Sequence, residues 1–375
     1  MAELRGMTWD HSRGYDPMLA TAAAYAAAHP GVTITWEKRS LQAFADRPIA
    51  EMAASYDLMV VDYPHVGEVA RQGNLLALDG LRDAEMAALA AGSVGRSHVS
   101  YQFAGRQWAL ALDAATPVAC LRPDRLAQPP RLWAEVLDLA RAGQVGLALV
   151  PISALMTFFG MARNLGHAVA EDPDHLIGRD EGAQVLGLLR EIAALLPARC
   201  LQSDPIAIYE WMGRNHDGPA YSPFGYGYTN YSRKGYCPWP LHFHDAPGIA
   251  EATPRGTVLG GTGIAVSAFS KHRDIAVDYA FWIAGAACQK GLYTASGGQP
   301  GHAAAWEDDA CNALTADFFR NTRATLETAW VRPRHDGYMA LQDRAGHILH
   351  ACLRGEATEA ATLAALDTAH RETRR

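Results

Sequence analysis

Three short stretches carry side chains whose types and spacing suit chemistry. His242-Phe243-His244-Asp245 sets two imidazoles two residues apart, so on a strand both project from one face. A zinc-type site needs further ligands at fixed spacing, and none follows, so no metal is expected. Cys237 lies between Tyr236 and Pro238, close in sequence to His242 and His244. A thiolate–imidazole pair is conceivable there but has no motif behind it. Gly260-Gly261-Thr262-Gly263 is glycine-rich but leads into a strand, and it lacks the Gly-x-Gly-x-x-Gly spacing of a dinucleotide site. Its glycines serve close backbone approach or a positive φ. There is no P-loop, no His-Glu-x-x-His and no Gly-x-Ser-x-Gly elbow. No catalytic residue and no cofactor are assigned.

Binding chemistry is better represented. Ligands of open α/β sheets lie beyond the C-terminal ends of the strands. That rule selects Trp9, Asp10, His11 and Tyr15 after the opening strand, then Asp62, Tyr63 and His65; Asp113, near the expected crossover of the chain between domains, is the next candidate. Aspartates accept paired hydroxyl hydrogen bonds, and Trp and Tyr faces cover the apolar side of a sugar ring. His11, Arg13 and His65 would instead suit a carboxylate or sugar acid. Each residue also has a structural reading: Trp9 as core, Asp10 and Asp62 as helix N-caps, His11 and His65 as solvated loop residues. The middle of the chain adds Tyr226, Tyr228, Tyr231 and Trp239, with Tyr226 or Tyr228 the preferred contacts. Ser153, Met156 and Phe159 follow a buried apolar run, and Gly261 and Thr262 complete the set.

The elements that would position these residues follow from periodicity. Residues 4–8, 32–36 and 56–61 read as strands, and 17–28 and 48–55 as helices, which is the rhythm of a doubly wound α/β sheet. Later, 133–142, 154–165 and 181–196 read as helices and 146–150 as a strand. Residues 217–254 are dense in Gly, Pro, Tyr, Trp and His, and read as an irregular functional region with one or two short strands. A strand at 258–268 and helices at 274–287, 309–329, 338–353 and 357–371 complete the chain.

Composition sets the bounds. At 375 residues the chain is long enough for two domains, and 49% apolar against 19% charged residues supports a large core. A net charge of -7 argues against a nucleic-acid or anionic-membrane surface. Residues 142–162 carry no charge, but Gly143, Gly146, Pro151, Ser153 and Thr157 interrupt them, so they read as buried strand, turn and helix rather than a membrane span. The six cysteines are scattered without a Cys-x-x-Cys pair and read as buried thiols, with disulfides left open. The opening Met-Ala-Glu-Leu-Arg-Gly has neither a basic n-region nor an apolar h-region. The expected location is periplasmic if a leader has been removed, and cytoplasmic otherwise.

In order and spacing, the chain resembles the extracellular solute-binding proteins of family 1, the carbohydrate-type receptors of ABC importers. The resemblance rests on the opening strand ending in Trp9, on Tyr56-Asp57-Leu58-Met59-Val60-Val61, and on Gly73-Asn74-Leu75-Leu76-Ala77-Leu78-Asp79. It continues through Gly105-Arg106-Gln107-Trp108, Leu132-Trp133-Ala134-Glu135-Val136-Leu137 and Gly260–Ser267, then the Gly298-Gln299-Pro300 turn and Arg332-Pro333-Arg334. It implies a two-lobed α/β fold of the periplasmic-binding-protein-like type II kind, each lobe a mixed sheet flanked by helices. The first lobe would comprise 1–112 and 259–320, the second 113–258 and 321–375, with hinge crossovers near 111–114, 256–262 and 318–332. It further implies a monomeric, non-catalytic receptor for a sugar, sugar acid or polyol, partnered by an ABC permease, and contact with ligand around Ser153 and Met156. The alternative reading is a cytoplasmic enzyme or ligand sensor on the same fold.

Overall fold

The structure, a computed structural model, describes residues 1–40 and 49–374. The first lobe grows from β1 (Ala2–Trp9), α1 (Ser12–Ala28) and β2 (Val32–Arg39). Pro48 lies outside the described residues, and the short helix expected there is seen as α2 (Ile49–Ala53). β3 (Leu58–Asp62) follows, with Leu58 to Val61 at most 3% exposed. An apolar run of that kind suits a central parallel strand covered on both faces. β4 (Gln102–Phe103) and β5 (Arg106–Gln107) form a small antiparallel pair before β6 (Leu110–Ala115).

The second lobe opens with β7 (Pro117–Leu121), α3 (Trp133–Arg141), α4 (Pro151–Asn164), α5 (Arg179–Leu195) and α6 (Pro205–Arg214). The region read as irregular supplies β8 (Tyr221–Tyr226) and β9 (His242–His244). β10 (Gly260–Val266) and α7 (Arg273–Ala284) return to the first lobe. α8 (Phe318–Glu327) packs on β9, and α9 (Tyr338–Leu353) and α10 (Glu359–Thr373) pack on α4 and α5.

The first sheet has the order β2-β1-β3-β10-β6, with β1 parallel to β2 and β3 and with β10 antiparallel to both neighbours. α1 and α7 meet on it through Tyr25 and Tyr279, edge to face at 5.2 Å, and through a 2.8 Å hydrogen bond between the Thr21 and Tyr279 hydroxyls. The second sheet has the order β8-β7-β9. Its helical layer is tight: a Cβ on Gly346 of α9 would come within 2.8 Å of the Pro151 carbonyl of α4, so only glycine permits that approach.

The chain crosses between the sheets along adjacent backbones. β6 runs into β7 through Thr116, whose hydroxyl meets that of Thr257 at 2.6 Å on the returning segment. A further segment joins them: Leu259 donates to the Trp330 carbonyl and Trp330 to that of Thr257, each at 2.8 Å.

Four expectations are corrected. Residues 146–149 are buried and Val150 is half-buried, but they are not a strand. Their donors go to scattered partners, Gly146 to the Tyr221 carbonyl and Leu149 to those of Cys200 and Ser203. The helix expected at 309–329 breaks into Asp309–Leu314 and Phe318–Glu327, because Ala316 and Asp317 adopt φ of 49° and 57°. That turn lets Trp306 pack on Phe319 at 5.2 Å. The helix expected at 274–287 stops at Ala284, where Gly285 is extended. Pro151 sits in the first turn of α4, where its missing donor costs nothing, so the helix starts earlier than the sequence suggested. All six cysteines are buried free thiols. Among the described residues, no helix is long and apolar enough to cross a membrane.

Candidate functional site

A cavity of about 230 Å³ lies between the two sheets. Drug-sized ligands occupy roughly 300–1,000 Å³, so this one suits something smaller. Its floor is one edge of the first sheet. β1 delivers Trp9, β3 delivers Asp62 and β6 delivers Ala115 at their C-terminal ends. Because β10 runs antiparallel, its N-terminal Gly260, Gly261 and Thr262 reach the same edge, with Thr262 paired in register to Asp62. The second lobe adds Tyr226 at the end of β8, then Tyr228, and the N-terminal ends of two helices: Ser153 and Met156 from the first two turns of α4, and Asp204 and Ile206 from the cap and first turn of α6. Arg332, Met339 and Gln342 close the wall from the C-terminal part of the chain.

The charges at this site are arranged unequally. Arg13 is buried and forked onto Asp113, with Nε to Oδ2 at 2.8 Å and a second, shorter bond from Nη2 to Oδ1. It also donates to the Gly227 carbonyl at 2.8 Å and lies 4.5 Å from the Tyr228 ring centre. Burial works against the Arg13 charge, but the Asp113 carboxylate outweighs it and holds the guanidinium above its ordinary value. Arg332 donates from Nε to the Tyr63 hydroxyl at 2.9 Å and from Nη1 to Gln342 at 2.6 Å. The Asp62 carboxylate has no hydrogen bond or ion pair to any described residue, although its backbone belongs to the β3–β10 ladder. Burial pushes its carboxyl above the usual range, against the pull of Arg332, His65 and Arg13. The Tyr226 hydroxyl and Thr262 Oγ1 are buried without partners. Buried polar atoms are normally satisfied, so these two give the cavity polar groups that a hydroxylated molecule can engage.

The expected site residues divide between this cavity and its surroundings. Trp9, Asp62, Ser153, Met156, Tyr226, Tyr228, Gly261 and Thr262 line it. Tyr63 lies behind the wall and holds Arg332 in place, accepting from its Nε and its backbone N–H. Asp113 is consumed by Arg13. His11 accepts from the Arg13 backbone N–H at 3.0 Å as the N-cap of α1 and meets the Tyr228 ring edge-on at 4.7 Å. Asp10 pairs with Lys38 at the surface, and Tyr15 lies under the same lysine. His65 faces Glu68 at 3.9 Å. Phe159 packs on Trp330, Tyr231 donates to Glu210, and Trp239 lies over Arg122, all away from the cavity. Reading the sequence did not place Arg332, Asp204, Met339 or Gln342 at the site. Asp204-Pro205 was legible as a helix-start signal, but not as cavity lining.

The residues singled out for catalysis make no such site. Cys237 donates its thiol to the backbone carbonyls of Tyr231 and Trp239, and burial raises it above the ordinary thiol range. Among the described residues, no group of three or more His, Cys, Asp or Glu is placed to hold a metal.

His11 carries a pH prediction. Burial first, and the Arg13 charge second, lower its imidazole to about 4 in the folded protein, against 6.5 when exposed. Between those values the unfolded chain binds more protons, so stability is complete above about pH 6.5 and falls as pH drops toward 4. At about 1.4 kcal/mol per unit, the loss reaches up to about 3 kcal/mol. His11→Asn keeps an N-cap acceptor and should flatten this part of a denaturant-measured stability profile. An unchanged slope would show that His11 does not titrate this way.

No protein-family model matches the chain, and no curated protein matches it in sequence. Solved structures match along its whole length. Maltose-bound MalE3 of T. maritima superposes with a TM-score of 0.85 at 14% identity, covering 99% of this chain and 100% of that one. An α-D-tagatose-bound ABC transporter solute-binding protein of Thermotoga lettingae gives 0.84 at 14% identity, with both chains fully covered. A ribitol-bound solute-binding protein of Agrobacterium radiobacter K84 gives 0.82 at 18% identity, covering 100% of this chain and 98% of that one. The chain therefore has the two-lobed periplasmic-binding-protein-like type II fold that its sequence led us to expect.

Proposed function

We propose that the protein is a solute-binding receptor that captures a small polar ligand, a sugar, sugar derivative or polyol, between two closing lobes for an ABC importer. One observation carries this reading: a small inter-lobe cavity in which the Tyr226 hydroxyl and Thr262 Oγ1 are buried without partners, beside the Asp62 carboxylate and the rings of Trp9 and Tyr228. Hydroxyls satisfy such acceptors and donors while the rings cover a sugar's apolar face. The folds of the receptors bound to maltose, tagatose and ribitol support the same class of ligand. We take the lobes as 1–112 with 259–320 and 113–258 with 321–375, rotating about the adjacent crossings at Thr116, Thr257–Leu259 and Trp330. Closure of this kind needs only a few residues to change backbone angle. The proposed setting is a monomer that delivers its ligand to a membrane permease from the periplasm.

A thermal-shift screen of sugars, sugar acids, polyols and amines tests the reading. Ligand at a hundredfold excess over Kd adds about 2.7 kcal/mol and raises Tm. Binding should be stoichiometric, and the ligand should be recovered unchanged. No shift from any hydroxylated compound, or consumption of the ligand, would overturn it.

A further inference from the structure

We infer that the cavity selects a hydroxylated amine over the neutral polyol or sugar acid of the same shape, an inference that rests on the receptor reading above. The lining charges decide the sign. Arg13 is neutralised inside the protein by its fork onto Asp113. What remains is Asp62 from the first lobe, Asp204 from the second, and Arg332. Asp62 has no protein donor on either oxygen. Asp204 uses Oδ1 to cap α6, accepting from Ala207 at 2.7 Å, and has no ion-pair partner among the described residues. Its carboxylate also offsets the positive end of that helix. Arg332 supplies one positive charge and already donates to Tyr63 and Gln342. The uncapped start of α4 adds about half a charge more. Summed over the whole lining these charges come close to cancelling, and the imbalance is local: both Asp62 oxygens and the second oxygen of Asp204 have no protein donor, while Arg332 and the start of α4 lie on the other walls.

A second observation sets buried, unsatisfied groups in the same cavity as these acids. Thr262 is 7% exposed and lines the cavity, and its Oγ1 has no partner. The Tyr226 hydroxyl beside it is likewise unpartnered. An ammonium brings three donors, no acceptor and the charge that the two carboxylates lack. Hydroxyls elsewhere on the ligand would serve Thr262, Tyr226 and Arg332.

Three compounds that differ at one terminus test this: 1-amino-1-deoxysorbitol, sorbitol and gluconate, measured by isothermal titration calorimetry on the full chain at neutral pH. The amine should bind at least tenfold more tightly than sorbitol, with gluconate weakest. Asp204→Asn retains the helix cap and should cut amine affinity at least tenfold while moving sorbitol less than threefold; Asp62→Asn should also narrow the preference. Sorbitol or gluconate binding as tightly as the amine would overturn the inference and leave the receptor reading intact. So would an Asp204→Asn change that weakens amine and sorbitol equally. If all three fail while other sugars bind, this inference alone falls. If nothing in the wider screen binds, the receptor reading falls with it.

Discussion

Replacing Asp113 by alanine should destabilise the protein by about 3–5 kcal/mol, the usual cost of leaving one member of a buried ion pair without its partner. Asp113 is 1% exposed and Arg13 is 4% exposed, so water cannot replace the lost carboxylate. The two bonds of the fork disappear together. The guanidinium also spans the lobes, since it extends from α1 to the Gly227 carbonyl and the Tyr228 ring. An unpaired Arg13 must therefore draw in water or pull away, and either outcome disturbs the crossing from β6 into β7. Chemical denaturation of Asp113→Ala should show a large fall in the midpoint. The double variant Arg13→Met with Asp113→Leu should recover much of the loss, because it removes both charges. A single variant within 1 kcal/mol of the parent would show that the pair does not hold this region together.

Asp113 also shows where sequence reading stops. It lies near the expected crossover between the lobes, and that position offered it as a ligand contact. Nothing local reveals that Arg13, a hundred positions earlier, will occupy both of its oxygens. The strand-end rule placed Trp9 and Asp62 well, because a strand's C-terminal end is a local property that the fold converts directly into the edge of a cavity. Tyr226 and Thr262 were legible for other reasons, the one as an aromatic in an irregular stretch and the other within a glycine-rich one, and the structure puts each at a strand end that faces the same edge. Arg332 and Gln342 were not. They reach the cavity only after the chain has crossed between the lobes, and neither sits at the end of a strand. The fold itself was legible because its evidence is distributed: apolar runs, helix spacing and turn residues repeat along the chain. Boundaries failed where a local device intervened, as at Ala316 and Asp317, whose left-handed backbone has no glycine to announce it.

Gly260→Val should abolish ligand capture, with a loss in affinity of at least about a hundredfold, or about 2.7 kcal/mol, and little change in Tm. Gly260 has no positive φ, so a β-branched residue suits its strand backbone. The obstacle is lateral. A Cβ at this position would lie 2.4 Å from Cε1 of Tyr226. The ring must move, and its hydroxyl has no hydrogen bond to hold it. The cavity lies on the side where both residues already form the wall, so the displaced ring takes up space that a ligand needs. Gly261→Val should behave differently. Gly261 has a φ of 92°, and its Cβ would meet the Asp113 carbonyl at 2.2 Å, where no flexible group can yield. That variant should lose stability first and binding only as a consequence. Measuring Tm and calorimetric affinity on both separates a blocked cavity from a damaged sheet. If Gly260→Val bound the parent's best ligand within threefold, Tyr226 would not be the surface on which the ligand rests.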